Sequence, residues 1–471
     1  MLDSLAPTTQ RGCYEMSKTA EAQTLLNELM QTLTDRGRAL LARVRSRPEN
    51  KDLVELADLL LSRRGEASGV ALARTLLDAY ERAPPSTRLL FLIALAERFG
   101  PDRERLRSTI DLFESTEDVK SVVSLRSACE PRRLELLRRL NLAAGGTFAL
   151  VRMRAELLEN LKDHPGLAEV DADFLHLFSS WFNRGFLEMR PIQWTTSANI
   201  LEKIIRYEAV HPLAGWSDLK RRINPADRRC FAFFHPQLAD EPLIFVEVAL
   251  TSEIPAAVAP LLAADREPMD VQRASTAIFY SISNAQRGLA GVSFGHFLIK
   301  QVVEDLKREI PGLKNFVTLS PVPGFAEWLK KQCGDPNKEN FDREIKALLD
   351  VLDDPRWFEN PAARATAEHL LLPIAGVYFV NAKSESGRPI DPVARFHLGN
   401  GARLERINFL GDTSDRGMKQ SYGLMVNYAY DIGTIEQNHE AYAEAGEIAA
   451  SSAVKRLARS ATVREQQSDG V

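Results

Sequence analysis

Cysteine is scarce. Only Cys13, Cys129, Cys230 and Cys333 occur in 471 residues, and no two are spaced as a CxxC pair. That excludes a disulfide framework and a cysteine-based structural zinc site, and it makes a reducing compartment the default. Long apolar runs are missing too: nothing approaches the ~18 uncharged apolar residues that a bilayer-spanning helix needs. No apolar stretch follows a basic start at the N-terminus, which argues against a secretory signal. Nor is there a surplus of charge of one sign. The 60 basic and 64 acidic side chains leave a formal net charge of −4. A nucleic-acid backbone or an anionic membrane is therefore a poor match as main partner, although a local basic pocket can still hold a phosphorylated small molecule. These absences predict a soluble intracellular protein.

What is present is ordinary globular composition, 45% hydrophobic and 26% charged. At 471 residues the chain is about three times a typical ~150-residue domain, so two or three packed units are expected. From about residue 20 to 165 apolar residues recur at helical spacing: Leu25, Leu26, Leu29, Leu33 and Leu40, then Leu53, Leu56, Leu59, Leu60 and Leu61. Pro84-Pro85-Ser86 and Phe99-Gly100-Pro101 punctuate the pattern, and Asp102 is placed to cap the following helix. This predicts a bundle of roughly six to eight short helices. After about residue 170 the texture changes to aromatic and β-branched runs: 230–234, 243–250, 277–283 and 315–319, with later strand candidates at 403–410 and 422–430. A helix between the third and fourth runs implies a parallel crossover or a helix-covered sheet. The segment from about 436 to 459 returns to helix. The fold class is thus α+β: an all-α bundle over residues 1–168, then a mixed-sheet α/β domain over 169–471.

Three features carry chemistry. The first is the turn from Asn284 to Leu298, which follows a strand and opens a helix with Gly288, Gly291 and Gly295 along it. Glycines admit a ligand to the backbone, and the free N–H groups of the helix start favour an anion such as a pyrophosphate. The pattern is neither GxGxxG nor a P-loop, so a plain strand-to-helix turn explains it equally well, and Arg287 reads as a phosphate clamp or a solvated charge. The second is Ser320, at the carboxyl end of a strand and followed by Pro321-Val322-Pro323-Gly324-Phe325. Strand ends of α/β sheets are where ligands bind, but a turn or helix-cap serine fits as well. The third is His397, in the last turn of a short helix started by Asp391-Pro392 and ended by Gly399 to Gly401, where the helix dipole favours the protonated form. A structural histidine is the other reading. The remaining histidines, His211, His235 and His296 among them, lack metal-ligand spacing, and no metal site is inferred.

The strand, Gln-Arg-Gly turn, helix, strand order resembles the acyl-CoA-binding core of GNAT-type acyltransferases, in which the CoA pyrophosphate lies on such a turn. Further stretches resemble one family more closely: 209–212, 245–251, 279–283, Gly295-His296-Phe297-Leu298-Ile299-Lys300, Leu319 to Phe325, and Phe396-His397-Leu398-Gly399-Asn400-Gly401-Ala402. Together they look like malonyl-CoA decarboxylase. The resemblance implies a helical oligomerisation domain, a GNAT-like catalytic domain, a homotetramer formed through the helical domain, and conversion of malonyl-CoA to acetyl-CoA and CO2 without metal or organic cofactor. It assigns catalysis to Ser320 and His397. It puts CoA binding on the loop comprising Gln286, Arg287, Gly288, Ala290, Gly291, Val292, Ser293, Phe294, Gly295 and His296. An acidic residue often found in that loop is Ser293 here, so no carboxylate role is carried over. The chain lacks the peroxisomal Ser-Lys-Leu ending of animal members, which points to a cytoplasmic enzyme. The competing functions are a GNAT-type acyl transfer to an amine and a non-catalytic helical scaffold.

Overall fold

In the computed structural model the described residues are 32, 52–62, 65–292, 298–332, 339–385 and 387–466. The leucines from Leu25 to Leu40, Cys13, Cys333 and the loop residues Ser293, Phe294, Gly295 and His296 lie outside them. The described chain divides into two compact units. One takes in residues up to 188 together with 234–241 and 286–293; the other takes in 189–233, 242–285 and 294–471.

The first unit is helical: α1 (Leu53–Leu61), α2 (Glu66–Arg82), α3 (Pro85–Glu97), α4 (Arg103–Thr116), α5 (Val119–Cys129), α6 (Arg132–Asn141), α7 (Gly146–Asn160) and α8 (Ala168–Trp181). The punctuation acts as the sequence predicts. Pro85 occupies the first turn of α3, and the Asp102 carboxylate accepts from the N–H groups of Glu104 and Arg105 at the start of α4. The expected boundary at 168/169 falls after the first residue of α8, a helix that belongs to this unit, which runs on to residue 188. Leu72, Leu76, Leu95, Leu136, Leu150, Leu157, Phe174 and Phe178 are fully buried and form the apolar interior.

The second unit holds an eight-stranded mixed sheet. Its strands are β1 (Glu188–Pro191), β2 (Arg228–Phe234), β3 (Ile244–Thr251), β4 (Thr276–Asn284), β5 (Asn315–Thr318), β6 (Ser320–Pro321), β7 (Arg403–Asn408) and β8 (Met425–Ala429). They lie in the order β1-β2-β3-β4-β5-β8-β6, with β7 also on β8. β2–β3, β3–β4 and β7–β8 pair antiparallel, whereas β4 and β5 run parallel. A parallel pair needs a crossover, and α12 (Leu298–Glu309) supplies it, its Leu298, Val302, Val303 and Leu306 buried. The other helices of this unit are α9 (Ala198–Tyr207), α10 (Trp216–Ile223), α11 (Ala259–Leu262), α13 (Phe325–Lys331), α14 (Glu339–Leu352), α15 (Pro361–Val380), α16 (Pro392–Gly399), α17 (Asp415–Ser421), α18 (Ile435–Ala445) and α19 (Ser452–Gln466). Each run read as a strand falls on one, the last two shortened to 403–408 and 425–429, while β1 and β6 are not among those runs; a helical region precedes a mixed sheet, as the sequence predicts. Among the described residues no helix is long and apolar enough to cross a membrane.

Between β3 and β4 the register slips: Glu247 pairs with Ser281 but Val248 pairs with Phe279. Tyr280 is the extra residue of this β-bulge, which bends β4 just before the strand reaches the site described next.

Candidate active site

Ser320 opens β6, which pairs with β8 at Val426. Two residues upstream, Thr318 ends β5, so the strand period turns both hydroxyls to one side. His397 comes from α16, which begins where the sequence predicts: the Asp391 carboxylate accepts from the Ala394 N–H at 2.7 Å, with Pro392 at the first position. Ser320 Oγ lies 3.0 Å from His397 Nε2 and donates to Thr318 Oγ1 at 2.9 Å. The Thr318 oxygen also accepts from the Tyr428 N–H. On the far side of the imidazole, Nδ1 is 2.8 Å from the Tyr430 hydroxyl. The ring itself stacks on Tyr428, centroids 4.5 Å apart and planes 26° from parallel. Tyr428 and Tyr430, at period two along and just beyond β8, thus fix the ring by its face and its inner nitrogen.

Ser320 and His397 are 5% and 3% exposed. They open onto a cavity of about 230 Å³ whose lining residues all belong to the second unit. Tyr280, Asn284, Ser320 and His397 are its polar residues; Val210, Phe279, Ile282, Leu319, Pro321, Pro392, Val393 and Phe396 make the rest apolar. A larger recess of about 730 Å³ lies in the same unit near Trp194, Arg229 and Arg308. Its Arg229 and Arg308 are already paired with Glu309 and Asp305, and its lining brings no hydroxyl and imidazole together, so size alone does not select the site.

Two sequence readings change here. Burial pushes the His397 imidazole down to about 3, so the free enzyme carries it neutral; loss of hydration overrides the helix dipole that suggested a protonated ring. Ser320 caps no helix: Gly324 precedes α13, and the serine hydroxyl is committed to the imidazole and Thr318. Burial also raises Asp391 to about 6 despite its backbone donor, and it holds the Tyr430 phenol protonated by pushing its pKa well up.

Gln286, Arg287, Gly288, Ala290, Gly291 and Val292 fall in the first unit. Residues Arg287–Leu289 form one 3-10 turn, and Gly291 takes a left-handed φ of 78°. The buried Arg154 of α7 pins this turn from below. Its guanidinium donates to the carbonyls of Gly288 at 2.8 Å and Ala290 at 2.7 Å while pairing with Asp171. A Cβ on Gly288 would come within 1.8 Å of the Val151 carbonyl oxygen, so this glycine is required by a passing helix and not by a ligand. Arg287 points outward, 80% exposed, and meets Glu159 at 3.0 Å. Gln286 is buried beside Glu241. Among the described residues no group of His, Cys, Asp and Glu is arranged to hold a metal ion.

Fold and site together define an α+β protein with a buried serine–histidine pair opening on a largely apolar cavity. Residues 99–182 match the N-terminal and residues 185–468 the C-terminal domain model of malonyl-CoA decarboxylase. The mitochondrial malonyl-CoA decarboxylase of Anser anser anser is 35% identical over 401 residues, covering 78% of this chain and 79% of its own. That of Rattus norvegicus is 33% identical, covering 80% and 82%. The crystal structure of malonyl-CoA decarboxylase from Rhodopseudomonas palustris superposes with a TM-score of 0.84 at 58% identity, over 86% of this chain and 98% of that one. The Agrobacterium vitis structure gives 0.80 at 56% identity, over 86% and 99%. The chain belongs to the malonyl-CoA decarboxylase family.

Proposed function

We propose that this chain converts malonyl-CoA to acetyl-CoA and CO2 through Ser320 and His397, with no metal or organic cofactor. The observation that carries the reading is the 3.0 Å Ser320–His397 contact at the wall of an apolar cavity, in a chain of this family. The chemistry asks for little more. A malonyl thioester contains its own electron sink, since loss of CO2 pushes charge onto the thioester carbonyl as an enolate. The protein must dehydrate the carboxylate, hold the breaking bond perpendicular to the carbonyl plane, donate to the developing oxyanion and return a proton to the α-carbon.

The protonated Tyr430 phenol donates to Nδ1 and thereby places the imidazole proton on Nε2, facing Ser320. A substrate carboxylate entering this low-dielectric cavity favours the charged imidazole and so opposes the burial that keeps it neutral in the free enzyme. The proton that the imidazole thereby takes up from solvent passes from His397 Nε2 to the enolate carbon as CO2 leaves, which returns the ring to its neutral form, while the Ser320 hydroxyl hydrogen-bonds the malonyl group. The loop 286–296 holds the CoA end, its described part kept in shape by Arg154.

The enzyme works as a homotetramer through its helical unit. No residue of α4 is buried, and Ile110, Leu112, Val119, Val122 and Val123 of α4 and α5 are exposed, which is apolar surface for a second copy to cover. Cys129 and Cys230 are free thiols, which suits the cytoplasm. The test is product analysis in D2O. Malonyl-CoA should give CO2 and acetyl-CoA carrying one solvent deuterium. Thiol release that depends on an added amine and yields no CO2 points instead to acyl transfer.

A further inference from the structure

One cavity wall is built unlike the others. After α9 the chain continues as an irregular strap, residues 209–212, and each backbone polar group of that strap is held by a side chain. The Ala209 N–H donates to Ser283 Oγ at 3.3 Å, and the Val210 and His211 N–H groups donate to Glu208 Oε1 at 2.9 and 2.7 Å. Glu208 is in turn anchored to β4 by the hydroxyls of Ser281 and Ser283. On the carbonyl side, Arg416 donates to Ala209 and Val210 at 2.6 and 3.2 Å, and Arg222 donates to His211 and Pro212 at 2.7 and 3.4 Å. A segment with no helix or ladder of its own is thus fixed by four side chains. Glu208 and Arg222 are themselves buried, and Arg222 is tied onward to Glu247 of β3. Dedicating that many charged groups to four residues makes sense where position matters.

What the strap positions is Val210, the residue through which it lines the Ser320–His397 cavity. Phe279 and Leu319 of the same wall are core residues of the sheet, and Pro321 and Pro392 are rigid rings. Ile282, Val393 and Val210 are the half-buried, β-branched members, and of these Val210 is the one carried by the strap, so its restricted side chain stands on a backbone held at every polar group. We propose that Val210 is the specificity-determining residue of this cavity, excluding α-branched malonyl thioesters by occupying the space an α-methyl group needs. The inference rests on the reading that a malonyl thioester fills the cavity. One methyl group against an apolar wall discriminates roughly 10- to 200-fold, which is the scale available to such a contact.

The experiment compares CO2 release from malonyl-CoA and methylmalonyl-CoA by the intact enzyme and by Val210→Ala, Val210→Ile and Arg416→Ala, each first checked for an unchanged melting curve. The ratio of kcat/KM, methylmalonyl over malonyl, is expected to rise about tenfold in Val210→Ala and to fall in Val210→Ile. Arg416→Ala frees two strap carbonyls from an exposed side chain, and it should raise the ratio by a smaller factor. Equal losses on both substrates, or ratios unmoved within twofold, overturn the specificity role while leaving the decarboxylase reading intact. Wild-type enzyme that releases no CO2 from malonyl-CoA overturns both.

Discussion

At the scale of single residues, His397 shows why local rules mislead at a working site. Its position in the last turn of α16 is legible from Asp391-Pro392 and Gly399, and there a helix dipole typically favours the charged ring by ~0.3–1 kcal/mol. The sequence gives no view of how much water the fold removes, and burial takes the pKa to about 3. Tyr430 was equally hidden. Two tyrosines at period two in a predicted strand are visible, but their face and their neighbour depend on which strand lies alongside. The consequence is testable. Tyr430→Phe removes the donor to Nδ1 without opening a cavity, leaving a buried nitrogen unpaired at ~1–3 kcal/mol. Steady-state kinetics should show kcat reduced about tenfold or more with KM nearly unchanged; equal kcat shows that Tyr430 does not orient the ring.

At the scale of elements, strands β2 to β5 were readable because aromatic and β-branched runs between polar turns have few other uses, and α3 and α4 because Pro85 and Asp102 set their first turns. Elements whose shape comes from distant partners were not. The glycine-rich turn reads equally well as a ligand cradle or as a plain strand-to-helix turn, and what decides Gly288 is α7, while Arg154, remote in sequence, holds the turn. The strap at 209–212 depends on Arg416, 207 residues away from Ala209. If residues 286–292 bind CoA, their anchor matters more than their exposed charge. Arg154→Lys keeps a cation but cannot serve Asp171 and two carbonyls at once. It should raise KM for malonyl-CoA tenfold or more while sparing kcat, and Arg287→Ala should stay within about twofold of wild type. The reverse order identifies Arg287 as the clamp.

At the scale of the whole molecule, buried titratable groups of both kinds set the response to acid. Burial lowers His211 to about 4 and His397 to about 3, so below the unfolded value of 6.5 the unfolded chain binds protons that the folded one refuses, and stability falls. Burial raises Glu247 to about 7 and Asp391 to about 6, so the folded chain takes up protons first and stability rises as pH drops toward their unfolded values of 4.5 and 3.8. Two protons refused and two accepted cancel between about pH 6 and 4.5. Below 4.5 Glu247 no longer offsets a histidine, while Asp391 still offsets one down to about 3.8 and His211 itself takes up a proton near 4, so at most about one proton is left unbalanced. Chemical denaturation across pH should therefore show a plateau and then a decline of ~1.4 kcal/mol per pH unit per unbalanced proton. A steady decline beginning at pH 6.5 contradicts this. The account's central claim is tested most directly by single-turnover CO2 release from malonyl-CoA by Ser320→Ala and His397→Ala, with folding and assembly confirmed. It predicts losses of about 10²- to 10⁴-fold in rate for each, and a double variant little worse than either. Turnover near that of the wild type in either single variant contradicts it.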